Sequence, residues 1–397
     1  MQRLRAPGAD QGHSVTSSSS SLELFCAEKL QALDQRSQRR SPVPTRRLEH
    51  ARVERVVDGT ARVLVDFSSN DSLGLAHHPE VMAAAMAATS EGASSGGSRL
   101  VSGAHPSLTA FEATLAKLKH QAAAVVVGSG WLANVGVIPA LVGPEDVVVV
   151  DALAHASLFA GVRLSGARTL VVAHNDLAAF TLALADERAR TSKARILVVT
   201  ESVFSMDGDR APVEALALVC RAHDAWLLVD DAHGFLIGDG TCGPADVVTG
   251  TLSKASGSYG GTIAGPRALI DLLFTRCRPL LFSTALPPAV IAAAAAAVDV
   301  ALREPARRHR PLLLARRFCA AMGLPPPSSH IVPVVVGDEA ATLGLMAALV
   351  DDGHLAVAIR PPTVAAGTSR LRIAFSAAHS DDDVDALASS LLRRRAR

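Results

Sequence analysis

Apolar residues follow two rhythms along this 397-residue chain. Short β-branched runs at Ala123–Val127, Val147–Val150, Thr169–Val172, Ile196–Thr200, Trp226–Val229 and Val247–Leu252 alternate with longer stretches of helical period. In one such stretch Leu108, Phe111, Leu115 and Leu118 recur at i, i+3, i+7 and i+10, the spacing of one buried helical face. Several of the short runs lack polar alternation, as strands do when helices cover both faces of their sheet. Together they predict a doubly wound, mostly parallel α/β domain. From Pro288 the pattern changes. Helical text runs to Met322, followed by a strand at Ile331–Val336, a helix at Ala340–Asp351, strands at Ala356–Ile359 and Leu371–Phe375, and a closing helix from Asp381. That order predicts a smaller C-terminal α+β domain. The expected division is a tail over 1–21, a helix (Leu22–Asp34) and linker within 22–62, a large domain over 63–287 and the small domain over 288–397.

Composition narrows the classes. With 39 basic against 38 acidic residues the net charge is +1, so no basic excess draws nucleic acid or an anionic membrane. Five scattered cysteines with no C-x-x-C spacing argue against a disulfide framework or a zinc knuckle, and fit a reducing cytosol with no bound metal. The apolar stretch Ala285–Val298 is too short to span a bilayer. The Ser- and Arg-rich start has no apolar signal core and reads as a disordered tail, with a transit peptide as the sharper alternative.

Ligands of open parallel sheets gather at the carboxyl ends of strands, so the segments after each strand carry the chemistry. Gly128–Asn134 follows a strand and opens a helix, where small residues and a helix N-terminus suit a phosphate. Glycine is also common at such turns for packing alone. Asp230 ends a strand, and a buried carboxylate there is costly without a cation or strong donor. A protonated pyridine nitrogen is one such partner, with His233 three residues on; an N-cap aspartate beside a surface histidine explains the pair equally well. A Schiff base needs a lysine with a depressed pKa. Of five lysines, Lys117 and Lys119 lie on an amphipathic helix, Lys29 in the N-terminal helix and Lys193 in a polar loop. Only Lys254 leaves an apolar strand for a small-residue loop, one strand beyond Asp230. Asp207–Asp209 reads as an Asp/Gly turn, while Ser205 just before it can reach a ligand.

Phe67–Asp71, Gly96–Arg99, His155–Leu158, Phe204–Asp209, Val229–Gly234, Thr251–Lys254 and Arg360–Thr363, in this order, resemble the α-oxoamine synthase family of fold-type I pyridoxal-phosphate (PLP) enzymes. The resemblance runs from about Val63 to the C-terminus. It implies a Schiff base on Lys254, Asp230 against the pyridine nitrogen, His233 on the ring hydroxyl and His155 stacked on the ring face. Ser205 and Thr251 would contact the cofactor, as would Gly130 and Trp131 through their backbone. Arg360 would hold the amino-acid carboxylate, Thr363 and Asn70 would meet substrate, and Arg39 would assist the acyl group. Ser283 and Thr284 would reach the phosphate of the neighbour in a homodimer. Ala358–Val364 and Ala366–Arg372 most resemble the branch that condenses L-alanine with a pimeloyl thioester, carried by CoA or an acyl carrier protein, in biotin synthesis. A member using glycine, such as glycine C-acetyltransferase, is the nearer alternative. An inert scaffold is the remoter one, and Lys254 speaks against it. Four positions depart from the family pattern: Ser72 replaces an aromatic, Leu108 a histidine and Phe282 a tyrosine, and Ser253 stands where Gly or Phe is usual. The first two are expected to border the substrate route.

Overall fold

A computed structural model describes residues 20–191, 193–240 and 242–395. It divides into two units, one ending at Pro42 and the other spanning Val43–Arg397. Of the expected tail, residues 1–19 lie outside the described residues. In the first unit the Ser20 hydroxyl accepts from the Glu23 N–H at 3.2 Å, while the Glu23 carboxylate accepts from the Ser20 N–H at 2.6 Å. This reciprocal cap starts the helix Ser21–Gln35.

The second unit opens with three antiparallel strands, β1 (Thr45–Leu48), β2 (Arg52–Val57) and β3 (Thr60–Asp66), in a region expected to be mostly linker. Asp58 and Gly59, both at positive φ, form the two-residue turn between β2 and β3. The main sheet follows: β4 (Ala123–Val127), β5 (Val147–Asp151), β6 (Arg168–Val172), β7 (Ile196–Glu201), β8 (Trp226–Asp230), β9 (Val247–Thr251) and β10 (Gly261–Gly265). Its order is β4-β10-β9-β8-β7-β5-β6, with β10 antiparallel to both neighbours and the other pairs parallel. The predicted parallel sheet is present, and β10 is the strand that sequence reading omitted. Side chains alternate between the covering layers. Val148 and Val150 pack with Val137 and Leu158, while Val147 and Val149 pack with Phe180, Leu184 and Leu216.

The C-terminal part contributes β11 (Ile331–Gly337), β12 (His354–Leu355), β13 (Val357–Ile359) and β14 (Ser369–Ala374). β11, β14 and β13 form one antiparallel sheet, whereas β12 runs parallel to β3. The N-terminal strands are thereby tied to the C-terminal end of the chain. Arg52 adds two hydrogen bonds to Asp383, at 2.7 and 3.2 Å, and Phe67 stacks on His379 with ring centroids 4.3 Å apart. Among the described residues no helix is long and apolar enough to cross a membrane.

β4 is an edge of the main sheet, and an edge leaves N–H groups without ladder partners. The Val126 N–H donates to Glu112 at 2.7 Å, and Glu112 is in turn gripped by Arg99 at 2.6 and 3.0 Å, with both charged residues buried. Removing one partner of a buried pair strands the other charge and costs about 3–5 kcal/mol. Glu112→Ala should lower the urea midpoint accordingly, and Glu112→Gln, which keeps the acceptor for Val126, should lower it less. Equal midpoints for Glu112→Ala and the native chain would show that the edge is held by other means.

Candidate active site

The strands β5, β7, β8 and β9 end in Asp151, Glu201, Asp230 and Thr251. Asp230 accepts from the Asn134 amide at 2.7 Å and from the Ala232 N–H at 3.0 Å. The same Asn134 amide nitrogen donates to the Ser157 hydroxyl at 2.9 Å, and Ser157 meets His155 Nδ1 at 2.7 Å. Because the Ser157 N–H also points at Nδ1, at 3.3 Å, that nitrogen is an acceptor and the ring proton sits on Nε2. Burial lowers the His155 pKa, Asp230 opposes and Lys254 reinforces, so the ring is neutral. A polar chain thus runs from His155 to Asp230 across three elements.

Lys254 follows β9, and burial depresses its amine despite the carboxylates of Asp230 and Glu201. It lines a cavity of about 220 Å³ with Ser68, Asn70, His155, Ser205, Met206, His233, Val357, Ile359 and Arg372. Arg372 donates through Nε to the Ser205 carbonyl and through a terminal guanidinium nitrogen to Asn70 Oδ1 at 3.2 Å. Burial lowers the Arg372 guanidinium to about 10, which leaves it charged at neutral pH. A larger cavity of about 880 Å³ shares His155, Ser205 and Met206 and adds Phe159, His174, Thr363, Val364 and Arg370.

The structure therefore gathers Lys254, His155, His233, Ser205 and Asn70 around one cavity, with Asp230 linked to His155 through Ser157 and Asn134. Thr363 lines the larger cavity only. Arg360 is buried beside Ile359 but lines neither cavity; Arg372, which sequence reading passed over, lines the smaller one. Gly130 and Thr251 meet at the start of the helix Gly130–Leu141, where a Cβ on Gly130 would come within 3.2 Å of the Thr251 Cβ. Trp131 stands edge-on to His155 with centroids 6.3 Å apart. Thr284 bridges to Ser98, and neither it nor Ser283 lines a cavity. Arg39 belongs to the N-terminal unit, where it pairs with Asp34 at 2.9 Å. Ser72 and Leu108, expected at the substrate route, line neither cavity. Ser72 is bonded to His330 at 2.9 Å, and Leu108 is fully buried in an apolar cluster. Lys119, expected on a helix surface, is buried against Asp231 at 3.4 Å and over the Phe235 ring.

Asn134, Glu201, His330 and Arg372 are the site's unforeseen polar residues. Arg372 left a trace in the sequence, since Arg370 and Arg372 alternate along an otherwise apolar strand whose six residues all prove buried.

The sequence profile of the family described as Aminotransferase class I and II matches residues 62–391. Among curated relatives, an 8-amino-7-oxononanoate synthase of Methylobacterium sp. (strain 4-46) is 55% identical, covering 94% of this chain and 97% of that protein. Another of the same name, from Maricaulis maris (strain MCS10), is 51% identical over 95% of this chain and 97% of its own length. Among solved structures, SPT with PLP internal aldimine superposes with a TM-score of 0.85 at 27% identity, covering 94% of this chain and 98% of that one.

The buried histidines give the fold a signature in acid. Burial first, then Arg372 and other cations, takes His330 down to about 3, and burial takes His379 to about 4. An unfolded histidine titrates near about 6.5. Below that pH the unfolded chain binds protons that the folded chain refuses, so stability falls as pH drops from 6.5 towards 4. Each such histidine contributes about 1.4 kcal/mol per pH unit. His330→Asn should remove one such contribution from the slope of unfolding free energy against pH. An unchanged slope would mean that His330 accepts its proton without unfolding.

Proposed function

From the premise that the chain belongs to the class I and II aminotransferase family and to the 8-amino-7-oxononanoate synthase branch, we propose a PLP-dependent acyltransferase of biotin synthesis. It condenses L-alanine with a pimeloyl thioester, releasing the carrier's thiol and CO2. The observation that carries this reading is one small cavity holding a depressed lysine amine, a neutral histidine and a buried arginine, with a doubly hydrogen-bonded aspartate nearby.

The residues suit the cofactor. The Lys254 amine is the covalent anchor, the doubly held Asp230 is the partner of a ring nitrogen, and the Gly130 cradle at a helix N-terminus suits a phosphate. When bound, PLP supplies an electron sink for a carbanion at the amino-acid Cα. Asp230 would favour a proton on the ring nitrogen, and His155 lines the cavity that would hold the ring. His233, driven far below its usual pKa by burial and by Lys254, is a neutral donor for a ring oxygen. Lys254 would hold the cofactor, and its amine, when free, would be the base for the Cα proton, a role that burial favours by lowering its pKa. Arg372 holds the alanine carboxylate by a charge-assisted pair, in place of the Arg360 first expected there. The acyl group occupies the larger cavity, where Thr363 and Val364 line the wall. The active form is a homodimer. The 74% exposure of Phe282, beside Ser283 and Thr284, supports that part of the reading.

Borohydride reduction of the PLP-loaded protein should fix the cofactor to Lys254, and peptide mapping that found it on another lysine would sink the central assignment. Arg372→Met should raise the amino-acid KM about tenfold to a hundredfold, the loss of one charge-assisted pair, and Arg360→Met should do so less. The reverse order would return the carboxylate to Arg360. In a matched comparison of alanine and glycine with pimeloyl, acetyl and succinyl thioesters, alanine with pimeloyl should give the highest kcat/KM. One methyl group in an apolar pocket is worth about 1–3 kcal/mol, so the preference over glycine should be tens- to hundreds-fold. A maximum for glycine with acetyl-CoA would reassign the substrates while leaving the cofactor chemistry in place.

A further inference from the structure

Two carboxylates stand side by side where β7 and β8 end. The parallel register pairs Glu201 with Asp230, and paired residues of adjacent strands, about 4.8 Å apart, project to the same face. Glu201 is 3% exposed and Asp230 6%. The charged groups that face Glu201 are Asp230 on β8, Lys254 after β9 and Asp151 at the end of β5. Glu201 and Asp230 therefore share the field of one lysine whose own amine is held down by burial, and Asp151 adds a further negative charge near Glu201. Buried like charges do not both ionise when one can hold a proton instead.

The hydrogen bonds decide which one holds it. Both Asp230 oxygens receive N–H donors, from Asn134 at 2.7 Å and Ala232 at 3.0 Å, and such donors reward the ionised form. Asp151 likewise receives the N–H groups of Leu153 and Asn175, each at 2.8 Å, and the ring of His174 at 2.9 Å. Glu201 differs. One of its oxygens is buried with no partner, and the one backbone N–H that faces its carboxyl is that of His155. An ionised oxygen with no donor in that position carries a desolvation penalty that a neutral carboxylic acid largely avoids.

We propose that Glu201 is a neutral carboxylic acid in the working enzyme and serves as a positioning residue. It anchors the backbone of His155 and leaves Asp230 as the anion that meets the cofactor. The inference rests on the reading of Asp230 given above. Burial first and Asp230 next push the Glu201 carboxyl well above the ordinary carboxylate range, the direction that the geometry also favours. The consequence for Asp230 is electrostatic. An ionised Glu201 would add a second negative charge beside the ring nitrogen and hold the Lys254 nitrogen protonated to higher pH.

Infrared spectra of the PLP-loaded enzyme at neutral pH test this. Expected is a carbonyl band of a buried, protonated carboxyl that moves on exchange into D2O and is absent from Glu201→Gln. That variant should also keep the pH midpoint of the visible absorbance within about 0.3 unit of the native enzyme, because it exchanges one neutral group for another. A native spectrum without the band, or a band that survives in Glu201→Gln, would overturn the proposal. So would a midpoint lowered by about one unit or more, which is the mark of a lost negative charge. Should Glu201→Gln not fold, native enzyme grown on carbon-13 glutamate must show the band shifted, and a shift only with labelled aspartate rejects Glu201. Failure to bind PLP would refute the reading of the site itself, and the band is still scored in the cofactor-free protein.

Discussion

Parallel strands in register carry their last residues to one edge of the sheet, and there the chain must bury more negative charge than it has lysines to match. Each carboxylate is accommodated differently. Asp151 is fully buried and bonded to His174, whose other ring nitrogen meets Asp209 at 2.7 Å. Burial alone would lower the His174 pKa, but the bonds to both carboxylates outweigh it and raise it. Both ring nitrogens then donate, and the imidazolium serves two anions. Asp231 turns to the far side, where Ser202 at 2.7 Å and the buried Lys119 receive it, and burial still raises its pKa. Asp230 has only neutral donors. That leaves it the carboxylate best able to accept a cationic group from a ligand, because no protein cation has to be displaced first.

The same constraint explains why the C-terminal part of the chain belongs to the site. Its sheet delivers two arginines from β14 to the loop after β7: Arg372 bonds the Ser205 carbonyl, and Arg370 pairs with Asp207. A third contact closes the ring, with Gly208 accepting from Ser328 at 3.2 Å. Gly208 itself sits at positive φ, and a Cβ there would fall 2.0 Å from the Ile331 carbonyl oxygen, so only glycine lets the loop lie against β11. Ser205 and Met206, which line both cavities, are therefore held from two sides, and their position depends on the small sheet as much as on β7. Loss of packing far away, around Phe318 and Phe375, would be felt there through β14.

How much of this was legible depended on whether the signal was local. Apolar runs gave six of the main strands because burial on both faces shows in a few consecutive residues. β10 escaped because Gly-Thr-Ile-Ala-Gly has too few β-branched residues to stand out, and its place depends on β4 and β9, distant in sequence. The strands β1–β3 escaped although Asp58–Gly59 is a strong hairpin signal, since β2 and β3 carry charges on their open face. Lys254 and Asp230 were found from their own neighbourhoods. Glu201 and Asn134 were not, because nothing beside them in sequence says that Asp230 on another strand is their neighbour, and the alternation of Arg370 and Arg372 did not reveal partners in distant loops. Lys119 misled for the same reason: its helix is amphipathic, but the residue caps the helix end and turns inward to Asp231.

Specificity follows from where the departures from the family pattern came to rest. Ser72 stands in place of an aromatic residue, and its hydroxyl bonds the buried His330 rather than facing either cavity. Leu108 is sealed in the core. Neither lines the larger cavity, which is proposed to take the acyl chain, so on that reading chain-length selection falls to residues that do line it, such as Leu153, Phe159 and Val364. Each buried methylene contributes about 0.8 kcal/mol, a factor of about four. Apolar walls alone therefore grade neighbouring chain lengths only mildly. Sharper discrimination has to come from the polar part of the lining, Asp207, Asp209, His174 and Arg370. Arg370 pairs with Asp207 and His174 with one oxygen of Asp209, whose Oδ1 is buried without a partner. A chain that ends in an apolar group gains nothing from these pairs, whereas a terminal carboxylate, such as that of the proposed pimeloyl chain, can share Arg370 and His174 with Asp207 and Asp209. On the proposed reading, the far end of the acyl chain is therefore where the polar lining of the larger cavity acts on the choice of substrate.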